Sequence, residues 1–334
     1  MPGIKQLRVI NFGQETTPGT AVAATARFRG TGMLKDELEL TFPEETIGYL
    51  PGLDRSYIAR LGGTIQLSAP ANFEQWPYVA NAGISLVTPT TDTGSGYIWT
   101  HTPSVLTAIA STDLKTLTIE GGDNQENEEI EYSFVEDFEM SGKAGEAWML
   151  SHNWRGRQVT VSTVTPTTDI AIPSVNDMLF SKSKLYIDLI GGTVGTTLKS
   201  NTFLEGSVKF MTGLQIVEAA DGQLYFSFVK GVQPELLISI TFEHDGTATA
   251  EKVFWRAQTA RLLRILVQGD ALSSAGAYTY KTWQVSCAGK WESFDKIDEI
   301  NGNDVIKATF RARYNSTAAM FASFVCVNEL SVMP

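Results

Sequence analysis

Apolar and polar residues alternate along much of this chain, and the alternation predicts strands. Asp36–Thr46 places Leu38, Leu40 and Phe42 on one face and Glu37, Glu39 and Thr41 on the other. Gly62–Ser68 alternates again, with Ile65 and Leu67 inward. A short helix is expected over about 72–82. Asn72 can cap it, with Gln75 three residues on, while Phe73, Trp76 and Ala80 share a face. Pro77 must then sit in its first turns, which keeps it short. Strands follow near Tyr97–His101, Lys115–Glu120, Ile130–Ser141 and Ala147–Val161, the last two joined at Gly142–Gly145 as a long hairpin.

Thr160–Asp177, rich in Thr, Pro and Ser with Pro166 and Pro173, reads as a connection between halves. The order of events then recurs. Leu204–Val217 is a strand, and Asp221-Gly222 turns into Leu224–Val229. Leu236–Phe242 alternates, and a helix is expected over about 247–260 with Val253, Phe254 and Ala257 inward. Arg261–Gln268 is a strand, and Tyr280–Phe294 and Asp304–Tyr314 form a hairpin near Asn301-Gly302. Strand, strand, helix, strand, long hairpin thus occurs twice. The expectation is a mainly β chain of two tandem domains, 1–177 and 178–334, each with one flanking short α-helix. At 334 residues the chain accommodates two domains of about 165 residues each.

Composition narrows the function. Hydrophobic residues make up 43% and charged residues 19%, as expected of a packed rather than disordered chain. No apolar run approaches the roughly 20 residues that span a bilayer, and no signal-peptide pattern opens the chain, so a cytoplasmic origin without membrane insertion is expected. Cys287 and Cys326 lie in apolar alternating stretches and read as buried thiols. His101, His152 and His244 are scattered, so neither a metal nor another cofactor is expected. A formal charge of −11 disfavours sequence-specific nucleic-acid binding.

The segment Phe12-Gly13-Gln14-Glu15-Thr16-Thr17-Pro18-Gly19-Thr20-Ala21-Val22 resembles the opening arm of siphophage-type tail tube (major tail) proteins. Leu38–Glu45 with Phe42-Pro43-Glu44-Glu45, Gly63–Phe73 followed by Trp76, and Leu262-Leu263-Arg264-Ile265 are similar to the same group. The explicit match covers mainly residues 12–84. The resemblance implies β-sandwich or barrel-like folds assembled six to a ring around a lumen. A duplicated chain would reach that number as a trimer, a pseudo-hexameric ring. It further implies a virion protein assembled in a host bacterium's cytoplasm. Its partners would be further copies, the tail tip, tail terminator and tape measure proteins, and DNA only in transit.

The stretch from Phe12 to Gly32 carries Thr, Pro, Gly and Ala without apolar periodicity, and reads as an extended assembly arm ordered on contact, centred on Gln14, Glu15, Thr16, Thr17, Pro18, Gly19 and Thr20. Glu126, Glu128, Glu129 and Glu131, with Glu120 and Asp123, form the densest acidic run. Glu292, Asp295, Asp298 and Glu299 lie on the second half's matching hairpin. They read either as a negative lumen or ring-facing patch or as solvated hairpin flanks. Their spacing is not that of a calcium loop. No nucleophile elbow is present, and no enzyme is expected. The alternative is a β-sandwich virion adhesin or carbohydrate-binding module, for which Trp148, Trp154, Trp255, Trp283 and Trp291 could stack on sugars.

Overall fold

A computed structural model describes residues 2–165 and 168–333. Pro166, placed in the connection between halves, lies outside them, as do Met1 and Pro334. Strands hold 49% of the chain against 8% in helices, so the fold is mainly β, and its large antiparallel sheets form no closed barrel.

The first half contains β1 (Val9–Gln14), β2 (Ala26–Arg27), β3 (Thr31–Thr41), β4 (Tyr57–Pro70), α1 (Trp76–Gly83), β5 (Thr90–Thr91), β6 (Tyr97–His101), β7 (Leu117–Gly122), β8 (Asn127–Lys143), β9 (Met149–Gly156) and β10 (Val159–Val161). The second contains β11 (Ser183–Leu189), β12 (Leu198–Lys199), β13 (Phe203–Met211), β14 (Leu214–Val217), β15 (Phe228–Gly231) and β16 (Glu235–Glu243). After these come α2 (Gly246–Arg256), β17 (Arg261–Ala271), β18 (Tyr280–Phe294), β19 (Asp298–Ile300), β20 (Asn303–Ala312) and β21 (Ala322–Asn328).

The alternating stretches became strands, and the turns obey their residues. Asn301 and Gly302 have φ of 53° and 84° in the turn before β20, as a type I′ turn requires. Asp221-Gly222 closes the β14–β15 ladder, with Gly222 at φ 87°. Asn72 accepts from the Gln75 amide at 2.8 Å, one turn ahead of α1, and Pro77 follows in the first helical turn.

The pairing pattern of the first half recurs in the second. β1 pairs β2 and β7, β7 pairs β8, β8 pairs β9 and β10, β9 pairs β4, and β4 pairs β3. In the same order β11 pairs β12 and β17, β17 pairs β18, β18 pairs β20 and β21, β20 pairs β16, and β16 pairs β13. The helices occupy the same place, α1 between β4 and β7 and α2 between β16 and β17.

β8 and β18 each serve two ladders, their first parts in one and their last parts in another. Each carries a bulge just after entering its second ladder, between Val135 and Asp137 and between Trp291 and Ser293. An extra residue bends a strand and raises its twist, which lets it pass from one layer to the next. Around the first crossing, Tyr132–Val135 are buried without alternation, as covered faces on both sides demand.

The halves are not separate bodies. β8 pairs β13, and β6 from the first half pairs β21 near the chain's end. One buried cluster runs through both, from Phe12 and Trp154 to Trp76, Trp283 and Phe324. Trp76 stands edge-on to Phe138 at 5.0 Å and to Trp283 at 5.4 Å.

Candidate functional site: an open sheet edge and a projecting hairpin

Through the β8–β13 ladder, eight strands form one continuous run: β3-β4-β9-β8-β13-β16-β20-β18. It consists of two like quartets placed edge to edge. Among the described residues the pairing of the two quartets differs at one junction. β13 has β16 on one edge and β8 on the other, whereas its counterpart β3 has only β4. Correspondingly, the last part of β8 has β9 and β13, whereas that of β18 has only β20. The run therefore ends in two open edges of the same kinds that meet in its middle. Open edges present unpaired N–H and C=O groups, a template for a further strand.

One face of the run is apolar and buried: Ile65, Leu67, Trp154, Phe138, Val208, Ile238 and Phe310. The opposite face is polar and of mixed sign. Arg155 bonds the bulge residue Glu136 through Nε and reaches Glu37 at 3.3 Å. Arg311 bonds the other bulge residue, Glu292, at 2.9 Å and reaches Glu235 at 3.3 Å. The two pairs sit 156 positions apart, 136 to 292 and 155 to 311. Val-Glu-Asp-Phe against Trp-Glu-Ser-Phe, and Trp-Arg-Gly against Phe-Arg-Ala, carry this repeat in the sequence. Sequence reasoning missed it because only two of four residues are identical at the first place and one of three at the second.

This alignment corrects the reading of the acidic residues. Glu292 is equivalent to Glu136, and Glu126–Glu131 align with Thr282–Cys287, which holds no acid. The two clusters are therefore not counterparts. Glu126, Glu128, Glu129 and Glu131 lie before and along the first part of β8, outside the eight-stranded run, with Glu126 and Glu128 beside its β3 edge. Burial, then Glu126 and Asp36, push the Glu128 carboxyl above its ordinary range. Burial raises Glu131 likewise, opposed by Arg157 and assisted by Glu15 and Glu129. Glu120 is buried, accepting from the Ala24 amide at 3.1 Å and Thr165 Oγ1 at 2.7 Å, and fastens the chain locally. Glu292 lies on the polar face, and Asp295, Asp298 and Glu299 lie along the open edge at β18–β19.

The expected arm is also corrected. Phe12 is a core residue of β1, and Gln14 ends that strand with its side chain bonded to the Met333 carbonyl at 2.7 Å. Glu15 is buried and accepts four hydrogen bonds, from Gly19 N, Thr116 Oγ1, Thr118 Oγ1 and Tyr132 N, at 2.7–3.0 Å. Thr16–Thr20 is a turn, and Gly19 has φ 80° beneath the Arg157 guanidinium, where a Cβ would collide. A carboxylate with four donors holds this segment in the first half, so it does not wait for a neighbour to order it.

The projecting element is instead the hairpin of β3 and β4. From Leu38 to Leu61 it extends beyond the layers, and its faces are open. Leu38, Leu40 and Phe42, expected to share one strand face, are exposed, as are Tyr49, Leu50, Leu53 and Tyr57. Phe42 keeps 63% of its surface in water. That much apolar surface on one protrusion marks an interaction site.

The α2 inner face also differs from expectation. Val253 is exposed, whereas Ala248 and Glu251 are buried. Glu251 accepts from Arg261 at 2.7 and 3.0 Å and from Trp291 Nε1 at 3.0 Å, and this turns the polar residue inward. The tryptophans that a sugar platform would use are buried: Trp148, Trp154, Trp283 and Trp291. Trp255 is partly covered and bonds the Glu292 carbonyl. Both cysteines are buried free thiols, as expected. Among the described residues no cluster of His, Cys, Asp and Glu could hold a metal. Neither a protein-family model nor a curated protein sequence matches this chain.

Proposed function

We propose that this protein is a self-assembling structural subunit that builds the tube of a bacteriophage tail, three copies to a ring and ring upon ring. The observation that carries this reading is the repeated quartet of strands, joined once within the chain and left open at both ends. A chain that already makes this junction internally can make it again with a copy of itself. Repetition of one heterologous contact through a closing rotation gives a ring. The resemblance of Gly13–Ala21 to tail tube proteins supplies the biological setting.

Size favours three copies. Roughly 24 strands at about 4.8 Å give a wall about 115 Å around and about 37 Å across, and strand tilt widens it. Two copies give about 16 strands, the scale of a porin channel, too narrow for a DNA duplex once side chains line it. The polar face, with Ser, Thr and Asn among its paired Arg and Glu, would then face the bore. Its mixed charge would neither grip nor strongly repel phosphate, a different bore from the negatively charged lumen read from the acidic runs. Partners at the tail's ends and along the tape measure follow from the same proposal.

Sedimentation analysis over a concentration series tests the stoichiometry. The 36.5 kDa chain should associate in multiples of three. Discrete dimers or tetramers as end states would contradict the ring.

A further inference from the structure

The internal junction specifies how the next copy should attach. Arg155 and Arg311 lie opposite Thr64 and Leu237, and the next ladder places Leu34 and Val208 opposite Ile65 and Ile238. Lys35 on β3 is therefore the counterpart of Lys209 on β13. By the bulge alignment, Asp295 is the counterpart of Glu139. Within the chain Lys209 and Glu139 are direct cross-strand partners. Transposed to the open edges, the same register sets Lys35 of one copy opposite Asp295 of the next, so a base–acid pair is kept at both junctions. The neighbouring pair Phe138–Phe210 is not kept, since Phe294 would face Asp36.

A second observation agrees. Residues 212–234 join β13 to β16 in the position that residues 38–61, the outer part of the β3–β4 hairpin, hold in the first half, with nearly the same length. The second-half hairpin is docked: Leu214, Phe226 and Val229 pack on Leu114, Tyr132 and Phe134 of the first half. Arg157 clasps it, donating to the Phe226 carbonyl at 3.2 Å and the Ser227 carbonyl at 2.7 Å. The residue 156 positions on is Arg313. It is exposed, and its guanidinium has neither a hydrogen bond nor an ion pair among the described residues. It lines a surface groove with Val105, Leu106, Tyr314 and Phe321.

We infer that the partner seated on both features is a second copy of this chain. Its β3 edge pairs antiparallel with the end of β18, Lys35 opposite Asp295, and its 38–61 hairpin covers the groove at Arg313. This rests on the self-assembly reading and adds the register and the hairpin's seat. Directly opposed lysine and aspartate favour the correct register, since a one-residue slip turns them to opposite faces.

Mixing the single variants Lys35→Cys and Asp295→Cys under mild oxidation tests it. The two positions lie at opposite ends of the run, about 34 Å apart at the usual strand spacing, so a disulfide can form only between chains. The native cysteines are buried. The mixture should give a reducible dimer, neither variant alone should, and the double variant should give covalent trimers. Arg313→Glu, at an exposed site, should keep the fold by circular dichroism and raise the concentration needed for assembly at least tenfold. Rings without the cross-link, or unimpaired assembly of Arg313→Glu, overturn this pairing and leave the tube reading standing. Cross-linked copies that never form rings uphold the pairing and overturn the tube reading. Chains that stay monomeric at millimolar concentration without cross-linking overturn both.

Discussion

Two buried histidines set how the protein responds to acid. His101 and His152 are each held near pKa 3 by burial. His152 Nδ1 accepts from Trp154 Nε1, and His101 Nε2 lies 3.0 Å from Asn81 Oδ1, arrangements suited to neutral rings. Between about pH 3 and the ordinary value of about 6.5, the unfolded chain binds protons that the folded chain refuses. Stability therefore rises with pH through that window and is lost as pH falls below about 6.5, by up to about 1.4 kcal/mol per unit for each ring. The urea midpoint should drop between pH 7.5 and 5.0; a flat midpoint would contradict the neutral assignment. The Glu251–Arg261 pair is equally buried, with the Arg261 guanidinium 4.2 Å from the Phe254 ring. Glu251→Ala leaves that cation without its partner and should cost about 3–5 kcal/mol in urea denaturation. Arg311→Ala, at a pair open to water, should cost no more than about 1 kcal/mol. Apart from His152–Trp154 within β9, these pairings were not legible in advance, because each joins residues on different elements.

At the scale of elements, what could be read was local. β16 and β18 follow from period-two alternation, and the β20 turn from Asn301-Gly302. What failed was non-local. Nothing within Phe12–Gly19 announces that Glu15 meets Thr116, Thr118 and Tyr132, so the segment looked like a loose arm. Leu38, Leu40 and Phe42 alternate as a buried face would, although they are exposed in the folded chain. The candidate site was thus half legible: its apolar residues stood out, and its open edges became visible only with the strand pairing. Removing Phe12–Arg27 should abolish the cooperative unfolding transition, because it deletes half of β1, all of β2 and the turn that Glu15 fastens; a truncated chain with native-like circular dichroism would contradict this. Replacing 38–61 by a two-residue Asn-Gly turn should do the reverse. The fold should survive with Tm within a few degrees, and assembly should be lost. Loss of the fold would show that the hairpin belongs to the core.

For the whole molecule, the central claim is that one chain carries two equivalent sets of strands and repeats its internal junction with its neighbours. Neither half alone accounts for the edges of the other. β6 crosses to pair β21, β8 meets β13, and the cluster from Phe12 to Phe324 ties both halves into one unit. The chain should therefore behave as a single rigid building block, with mobility confined to the uncovered hairpin. The most direct test is negative-stain electron microscopy of the purified protein over a concentration series, with end-on averages of the assemblies. Hollow rings or tubes of three-fold symmetry with six similar lobes around an open bore are expected. Six-fold rings with twelve lobes, or closed particles without a bore, would contradict the central claim.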